Sequence, residues 1–181
     1  RRPYRLTTWI YCLLEFKGRH RTVMSPGRYT ELFFLDEATA LAAGHRPCFE
    51  CQRARYKEFM LCWGKANARM VEGEKLRARM VDTVLHSERF GPDGEKPRYR
   101  APLGTLPVGC FVELDGREGA WRVAESATHV TLRRWEASGY EDVKRLSPDA
   151  EVDVLTPRST VNAIAAGFTP RSATAPARAG L

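Results

Sequence analysis

The stretch FFLDEATALAAGHRPCFEC, residues 33–51, decides the fold of the N-terminal half of the chain. Asp36, placed before an Ala-rich run, is typical of a helix N-cap, because its side chain can accept a hydrogen bond from the first turn. The run EATALAA predicts a short helix, and Gly44 follows it as the residue type favoured just beyond a helix end. A turn then leads the chain into Cys48 and Cys51.

These two cysteines are the most chemically pointed feature of the sequence. Thiolates separated by two residues, at a turn that enters a helix, can both face one tetrahedral Zn²⁺ ion. The helix N-terminus also lowers the pKa of such thiols, which suits a redox pair. Redox pairs of the thioredoxin kind follow a strand, whereas this pair follows a helix and a turn, so we favour metal binding. Two incidental cysteines in a packed turn are the alternative without function.

The run from Phe33 to Cys51 resembles the second half of the Ada-type metal-binding domain, a DNA methylphosphotriester repair module. The shared elements are Phe33-Phe34, the helical run Glu37 to Ala43, and Gly44-His45-Arg46-Pro47-Cys48-Phe49-Glu50-Cys51. His45 stands where that family usually has an aromatic residue. The longer run from Pro26 to Cys51 also looks like a bacterial protein family from which no function follows. The Ada resemblance implies a small metal-binding fold, a zinc ion and DNA as a partner.

The chain departs from the Ada pattern upstream of this run. In that family four cysteines hold the zinc ion, and one of an upstream Cys-x-x-x-Cys pair accepts the methyl group. Only Cys12 lies upstream here, so we consider a zinc site made by Cys12, His20, Cys48 and Cys51. Cys12 lies in an apolar run, where a small buried thiol needs no metal to explain it. We therefore expect the fold to be retained and methyl transfer to Cys12 to be lost.

Basic side chains are concentrated in the same half of the chain. The 181 residues carry a net charge of +7, with 20 Lys and Arg against 12 Asp and Glu in residues 1–103, and 6 against 10 in residues 104–155. This distribution favours a polyanionic partner, since Arg makes bidentate contacts with phosphates. The predicted nucleic-acid contacts are Lys17, Arg19, Arg21, Arg28, Arg46 and Arg53. Nucleic acid, with DNA first, is the expected partner, and a solvated basic face is the alternative.

The whole sequence predicts an α+β protein: a small N-terminal sheet with helices resembling the Ada-type fold, then a small antiparallel β-unit closed by a C-terminal helix. The predicted regions are a metal- and DNA-binding domain with its following helices (1–90), a linker (91–104), the β-unit with its helix (105–168) and a disordered tail (169–181). The predicted strands are 8–16, 22–24, 29–35, 111–114, 121–123, 130–133 and 152–155. Four helices are predicted, the first over 37–43 and the third over 74–88. The second starts near Cys51 and has a buried stripe of Tyr56, Phe59, Met60 and Trp63. The fourth begins with Thr156 as its N-cap and ends at Gly167.

Two other classes of function stay open. Asp82 and His86 are four residues apart on one helix face, with Arg89 beside them, so His86 could serve acid–base chemistry on a phosphate ester or a nucleic acid. His86 and Cys12 are the catalytic candidates of that hypothesis, and an exposed helix face with ordinary ion pairs is its alternative. The third hypothesis is a structural or protein-interaction module without metal.

The cysteine count and the apolar runs indicate the cellular compartment. Five cysteines at irregular spacing favour reduced thiols and a cytoplasmic protein over a disulfide framework. The longest apolar run, Trp9 to Leu14, is too short to cross a bilayer, so no membrane is expected. The sequence opens on Arg1 rather than Met, which is consistent with a fragment that lacks an N-terminal segment and matters for any site that needs four ligands.

Overall fold

The structure, a computed structural model, describes residues 4–18, 22–27, 31–71, 75–126, 130–136 and 139–172. Its elements in chain order are β1 (Ile10–Tyr11), α1 (Glu37–Ala42), β2 (Arg46–Pro47), α2 (Arg53–Ala66), α3 (Ala78–Arg89), β3 (Tyr99–Pro102), β4 (Phe111–Leu114), β5 (Arg117–Ser126), β6 (Val130–Glu136), β7 (Gly139–Leu146), β8 (Glu151–Val154) and α4 (Arg158–Ala165). Short 3₁₀ turns lie at Ala68–Met70 and Leu103–Thr105. The predicted α+β class is confirmed.

The larger sheet has six antiparallel strands in the order β3-β8-β4-β5-β6-β7. Strands β4 to β7 form a meander, and β8 returns to lie between β4 and the edge strand β3. Val154 of β8 is level with Val112 on one side and with Tyr99 on the other. The segment predicted as a linker, 91–104, therefore contributes an edge strand. Strand β7 was missed, because its sequence lacks the apolar alternation that marked its neighbours.

One buried core joins the predicted halves. Trp63 of α2, Leu85 of α3, Val112 of β4 and Phe168 beyond α4 belong to a single cluster and are fully buried. Phe59 packs edge-on against Phe168, with ring centroids 5.3 Å apart. Of the stripe predicted for α2, Phe59 and Trp63 are core and Met60 packs against them, as expected of an amphipathic helix, whereas Tyr56 lies outside this cluster. The N-terminal region is consequently fixed to the antiparallel sheet through α2, α3 and α4.

Helix α1 has the ends that its sequence predicts. The Asp36 carboxylate accepts hydrogen bonds from the backbone N–H of Thr39 at 2.8 Å and from its hydroxyl at 2.7 Å. Gly44 takes a φ of +81°, and a side chain there would also meet Arg89. The next residue, His45, donates its backbone N–H to the carbonyl of Ala40 at 3.0 Å. This C-terminal turn sends the chain directly into β2 and towards Cys48.

The N-terminal strands are shorter than predicted. Of the predicted strand 8–16, only Ile10–Tyr11 is a strand, and it pairs in parallel with Arg46–Pro47. Strand β2 has two residues because α1 ends just before it and the cysteine turn begins just after it. Residues 22–24 and 31–35 form no strand, and residues 28–30 lie outside the part of the chain that the structure describes. The apolar residues of these runs predicted buried strands, but their side chains are largely exposed in the structure.

Two predictions about the C-terminal part are corrected. Thr156 does not cap α4: its hydroxyl accepts a hydrogen bond from the backbone N–H of Phe111 at 2.8 Å. The cap comes from α3, where the Glu88 carboxylate accepts hydrogen bonds from the N–H of Ser159 at 3.0 Å and from its hydroxyl at 2.5 Å. Of the tail predicted to be disordered, residues 169–172 are held by hydrogen bonds, and residues 173–181 lie outside the described residues. The N–H of Arg171 donates to Glu37 Oε2 at 2.8 Å, and the carbonyl of Arg171 accepts from the N–H of Ala38.

Within the described ranges, no helix is long and apolar enough to span a bilayer.

Candidate metal centre

The short parallel sheet brings three cysteines together. Cys12 follows β1 directly, and Cys48 follows β2 directly. The register pairs Ile10 with Arg46 and Tyr11 with Pro47, so Cys12 and Cys48 leave the sheet at the same edge. The backbone N–H of Cys48 donates to the carbonyl of Tyr11 at 3.1 Å, which continues that register. Cys51 arrives from the turn that enters α2.

The three sulfur atoms are close enough to share one ion. The Sγ atoms of Cys12, Cys48 and Cys51 all lie within 4.8 Å of one another. A tetrahedral zinc ion with Zn–S bonds of about 2.3 Å places its sulfur ligands roughly 3.8 Å apart. Thiolate sulfur is also the ligand type that zinc prefers in structural sites. These three cysteines can therefore hold a metal ion such as zinc.

Backbone N–H groups give the three thiols different acidities. Burial raises the pKa of the Cys48 thiol, but hydrogen bonds from the N–H groups of Cys51 and Glu50 outweigh burial and lower it below its ordinary value. Burial raises the pKa of Cys51, partly offset by the N–H of Leu13, which lies 3.3 Å from Cys51 Sγ. The pKa of Cys12 rises to about 12 through burial and the charges of Cys48 and Cys51.

The same proximity explains why a cation suits this place. Three thiolates so close together repel one another, and without a counter-charge at least one of them holds its proton. A divalent ion removes that repulsion and displaces the protons. A bound cation is therefore needed for all three thiols to be deprotonated together.

Gln52, the residue before α2, fastens the cysteine turn to β1. Its side-chain amide Nε2 donates to the carbonyl of Tyr11 at 3.0 Å, and its backbone N–H donates to the carbonyl of Cys48 at 3.1 Å. The positions of Cys12 and Cys48 are thus fixed by hydrogen bonds that need no metal. A site held in this way is pre-organised for its ion.

Arg46 is a structural residue, which corrects its prediction as a nucleic-acid contact. It is 5% exposed, and its guanidinium forms two hydrogen bonds with the Asp82 carboxylate, at 2.7 Å from Nε and 2.9 Å from Nη2. The Thr8 hydroxyl donates to the same carboxylate at 3.0 Å. Because its charge is neutralised inside the protein, Arg46 has no free donor face for a phosphate. It instead ties β2 to α3.

A second buried cluster lies beside β1 and was not predicted. Glu37 accepts a hydrogen bond from the Tyr11 hydroxyl at 2.5 Å and forms an ion pair with Arg55. The Arg55 guanidinium also donates to the carbonyl of Thr169 at 3.0 Å and lies 4.1 Å from the ring centroid of Phe168. Burial and the Glu37 charge raise the pKa of Tyr11. This cluster joins β1, α1, α2 and the C-terminal segment.

Of the other predicted nucleic-acid contacts, Lys17 and Arg53 lie on the surface. Arg53 is exposed in the first turn of α2, and its guanidinium is 5.0 Å from the ring centroid of Phe49. Lys17 is exposed in a turn, with its Nζ 5.2 Å from the ring centroid of Phe16. The remaining predicted contacts, Arg19, Arg21 and Arg28, lie outside the described residues, as does His20, the predicted metal ligand.

The predicted acid–base candidate His86 has an aromatic setting. Its ring contacts Tyr4, with centroids 4.4 Å apart, and Phe90, with centroids 5.8 Å apart. Both carboxylate oxygens of Asp82 are engaged by Arg46 and Thr8, so that carboxylate serves the ion pair. Burial, and then the charge of Arg89, lowers the pKa of His86. The arrangement anchors the segment near Tyr4 to α3.

His45 occupies an aromatic pocket. It is 7% exposed, with its ring centroid 4.7 Å from that of Phe34 and 5.2 Å from that of Trp9. Burial, and then the positive charge of Arg89, lowers its pKa to about 4, so the ring is neutral near pH 7. A neutral imidazole fills the space of an aromatic side chain, and His45 does not belong to the group of close metal-ligating side chains formed by the three cysteines.

Comparison of the chain with protein-family models, with curated proteins and with solved structures gives no match.

Proposed function

We propose that this protein binds one zinc ion through Cys12, Cys48 and Cys51, and that the metal shapes a nucleic-acid-binding surface. The observation that carries the proposal is the convergence of the three Sγ atoms within 4.8 Å at the ends of two paired strands. His20 is the candidate for the fourth ligand, and a water molecule is the other group that zinc accepts there. The ion would fasten residues 12–14 to the start of α2.

Charge supports nucleic acid, and DNA first, as the partner of this surface. Residues 1–103 carry 20 basic and 12 acidic side chains. Arg53 and Lys57 are exposed on the first turns of α2, which has no acidic residue in its first turn. The positive end of a helix and the two cations beside it favour phosphate groups. The resemblance of residues 33–51 to the Ada-type domain supports the same partner.

Metal analysis of the freshly purified protein tests the zinc part. We expect one zinc ion per chain in the wild type, and loss of the ion in Cys12→Ser, Cys48→Ser and Cys51→Ser. Cys62→Ser is the matched control, because Cys62 lies in α2, outside the three-cysteine cluster. Cobalt substitution adds a count of thiolate ligands through the charge-transfer absorption band. A wild-type protein that arrives without metal and takes up none would contradict the proposal.

Fluorescence anisotropy with a labelled DNA duplex over a salt series tests the nucleic-acid part. We expect affinity to fall with rising salt, with a slope set by the number of phosphate contacts. Arg53→Ala should reduce both affinity and slope, whereas Arg79→Ala, an exposed cation on α3, should leave them unchanged. Absence of binding at low salt, or binding that is indifferent to salt, would refute this part.

A further inference from the structure

Exposed apolar side chains are the chain neighbours of the three cysteines. Phe49, between the two cysteines of the turn, is 51% exposed, and Leu13 and Leu14, just after Cys12, are 48% and 83% exposed. The backbone N–H of Leu13 donates to Cys51 Sγ, so the segment after Cys12 and the cysteine turn meet at the candidate metal centre. Large apolar side chains are costly to leave in water, and a cluster of them at one place marks a binding surface.

Phe49 is held in a fixed orientation. The Tyr56 ring packs against it nearly perpendicularly, at 5.1 Å and 82°, and the Arg53 guanidinium lies 5.0 Å from its centroid. Tyr56 is itself fixed by the buried Arg46, whose guanidinium carbon lies 5.5 Å from the Tyr56 ring centroid. The ring of Phe49 is therefore a supported, half-open aromatic surface rather than a loose side chain.

The chemistry around this ring selects a ligand that is both flat and anionic. Arg53 and Lys57, four residues apart in α2, lie on the same face of the helix, and both are exposed. The adjoining segments contain the acidic residues Glu15 and Glu50, but the first turn of α2 contains no acidic residue. A nucleotide joins a planar base to a phosphate, so it can stack on Phe49 and pair with the cations.

The stacking surface distinguishes single strands from duplexes. Inside a duplex both faces of a base are covered by neighbouring bases, whereas an unpaired base offers a free face to an aromatic side chain. We propose that Phe49 stacks on an unpaired base of a single-stranded nucleic acid while Arg53 contacts an adjoining phosphate. This inference rests on the nucleic-acid binding proposed above and adds the strand form that the surface selects.

The test compares a fluorescein-labelled oligothymidylate with a labelled duplex at one salt concentration. We expect the wild type to prefer the single strand, and Phe49→Ala to weaken its binding about tenfold. Phe49→Leu should weaken it similarly, because leucine keeps the apolar character but has no π face. Phe49→Trp should retain binding and show quenching of tryptophan fluorescence when the oligothymidylate is added. Leu61→Ala is the matched control, since Leu61 is 73% exposed on the same helix, farther along α2.

The outcomes separate the inference from the proposed function. Full single-strand affinity in Phe49→Leu, or equal losses on both nucleic acids in Phe49→Ala, would overturn base stacking while leaving nucleic-acid binding in place. A wild type that binds neither probe refutes the proposed function itself. Zinc content is measured for every variant. If Phe49→Ala loses its zinc, the test of base stacking rests on Phe49→Trp, which is the most conservative variant.

Discussion

The two sheets of this protein are stabilised by different means. The six-stranded sheet covers a continuous apolar core, and its strands β6 and β7 alone pair over seven residue pairs. The parallel sheet has two residue pairs, too few to be stable on their own in water. Its strands are held from the side, by the Arg46–Asp82 pair, by the Glu37 cluster and by the cysteines. We infer that apolar burial sets the global stability, whereas polar and thiolate contacts set the geometry of the candidate site.

Removing a core side chain should affect both regions equally, and it is the largest effect that we expect. Phe59 is fully buried and contacts Phe168 beyond α4. Phe59→Ala should lower the free energy of unfolding by about 3–5 kcal/mol, through lost burial and the cavity that remains. Urea denaturation followed by circular dichroism measures the loss. Leu61→Ala, on the exposed face of the same helix, should stay within about 0.5 kcal/mol of the wild type.

Breaking the buried ion pair should be nearly as costly. Asp82→Ala leaves the Arg46 guanidinium buried without its partner, and we expect a loss of about 3 kcal/mol or more in unfolding free energy. Asp115→Ala removes one partner of Arg100 at an exposed pair and should leave the unfolding free energy close to that of the wild type. The double variant Arg46→Met with Asp82→Leu should recover most of the loss, because no unpaired charge remains. A double variant as unstable as Asp82→Ala would show that the charges themselves are required.

Removing the metal should destabilise the parallel sheet and leave the six-stranded sheet unchanged. At a zinc concentration one hundred times its dissociation constant, binding adds about 2.7 kcal/mol to the folded state. Chelation should therefore accelerate hydrogen exchange at the amide of Cys48, which donates to Tyr11, and leave the amide of Val123, which donates to Cys110, protected. Acidification should weaken zinc binding in parallel, because protons compete for the thiolates. Equal acceleration at both amides would mean that the two regions do not differ as proposed.

The smallest expected effect is a pH dependence at the contact between α3 and α4. Burial raises the pKa of Glu88, although the N–H and hydroxyl of Ser159 partly offset it. Because the folded-state pKa lies above the unfolded one, the protonated form favours folding. The contribution of Glu88 to stability is thus complete below the unfolded pKa and declines as pH rises through the folded one. In Glu88→Gln, the pH profile of the unfolding free energy should lack this decline.

The features that could be predicted from the sequence are those set by neighbouring residues. Helix α1 could be predicted because the residues that begin and end it are close in sequence. Asp36 accepts its capping hydrogen bond from Thr39, three residues later, and Gly44 follows the helix with a positive φ. The spacing of Cys48 and Cys51 is likewise local, and it identified the candidate metal ligands. Cys12 was included through the Ada resemblance, and its closeness to the other two depended on a register that only the fold could show.

The features that could not be predicted depend on residues far apart in the chain. Strand β3 lies in a segment rich in Pro, Gly and charge, and it is a strand because β8, some fifty residues later, pairs with it. Arg46 carries the same charge as Arg53, yet one is buried against Asp82 and the other is exposed. Composition cannot distinguish them, because burial of an arginine depends on a carboxylate, here Asp82, which the fold supplies from α3.

The hydrogen bond from Arg171 to Glu37 has a consequence for the order in which the protein is made. During synthesis the three cysteines and Asp82, the partner of Arg46, are all present once residue 82 has been added, so the cysteine cluster can assemble before the chain is finished. The Glu37 cluster behind β1 must wait for the last segment of the described chain, since the carbonyl of Thr169 and the N–H of Arg171 complete it. The growing chain can therefore gain its metal-binding geometry before it gains its final closure.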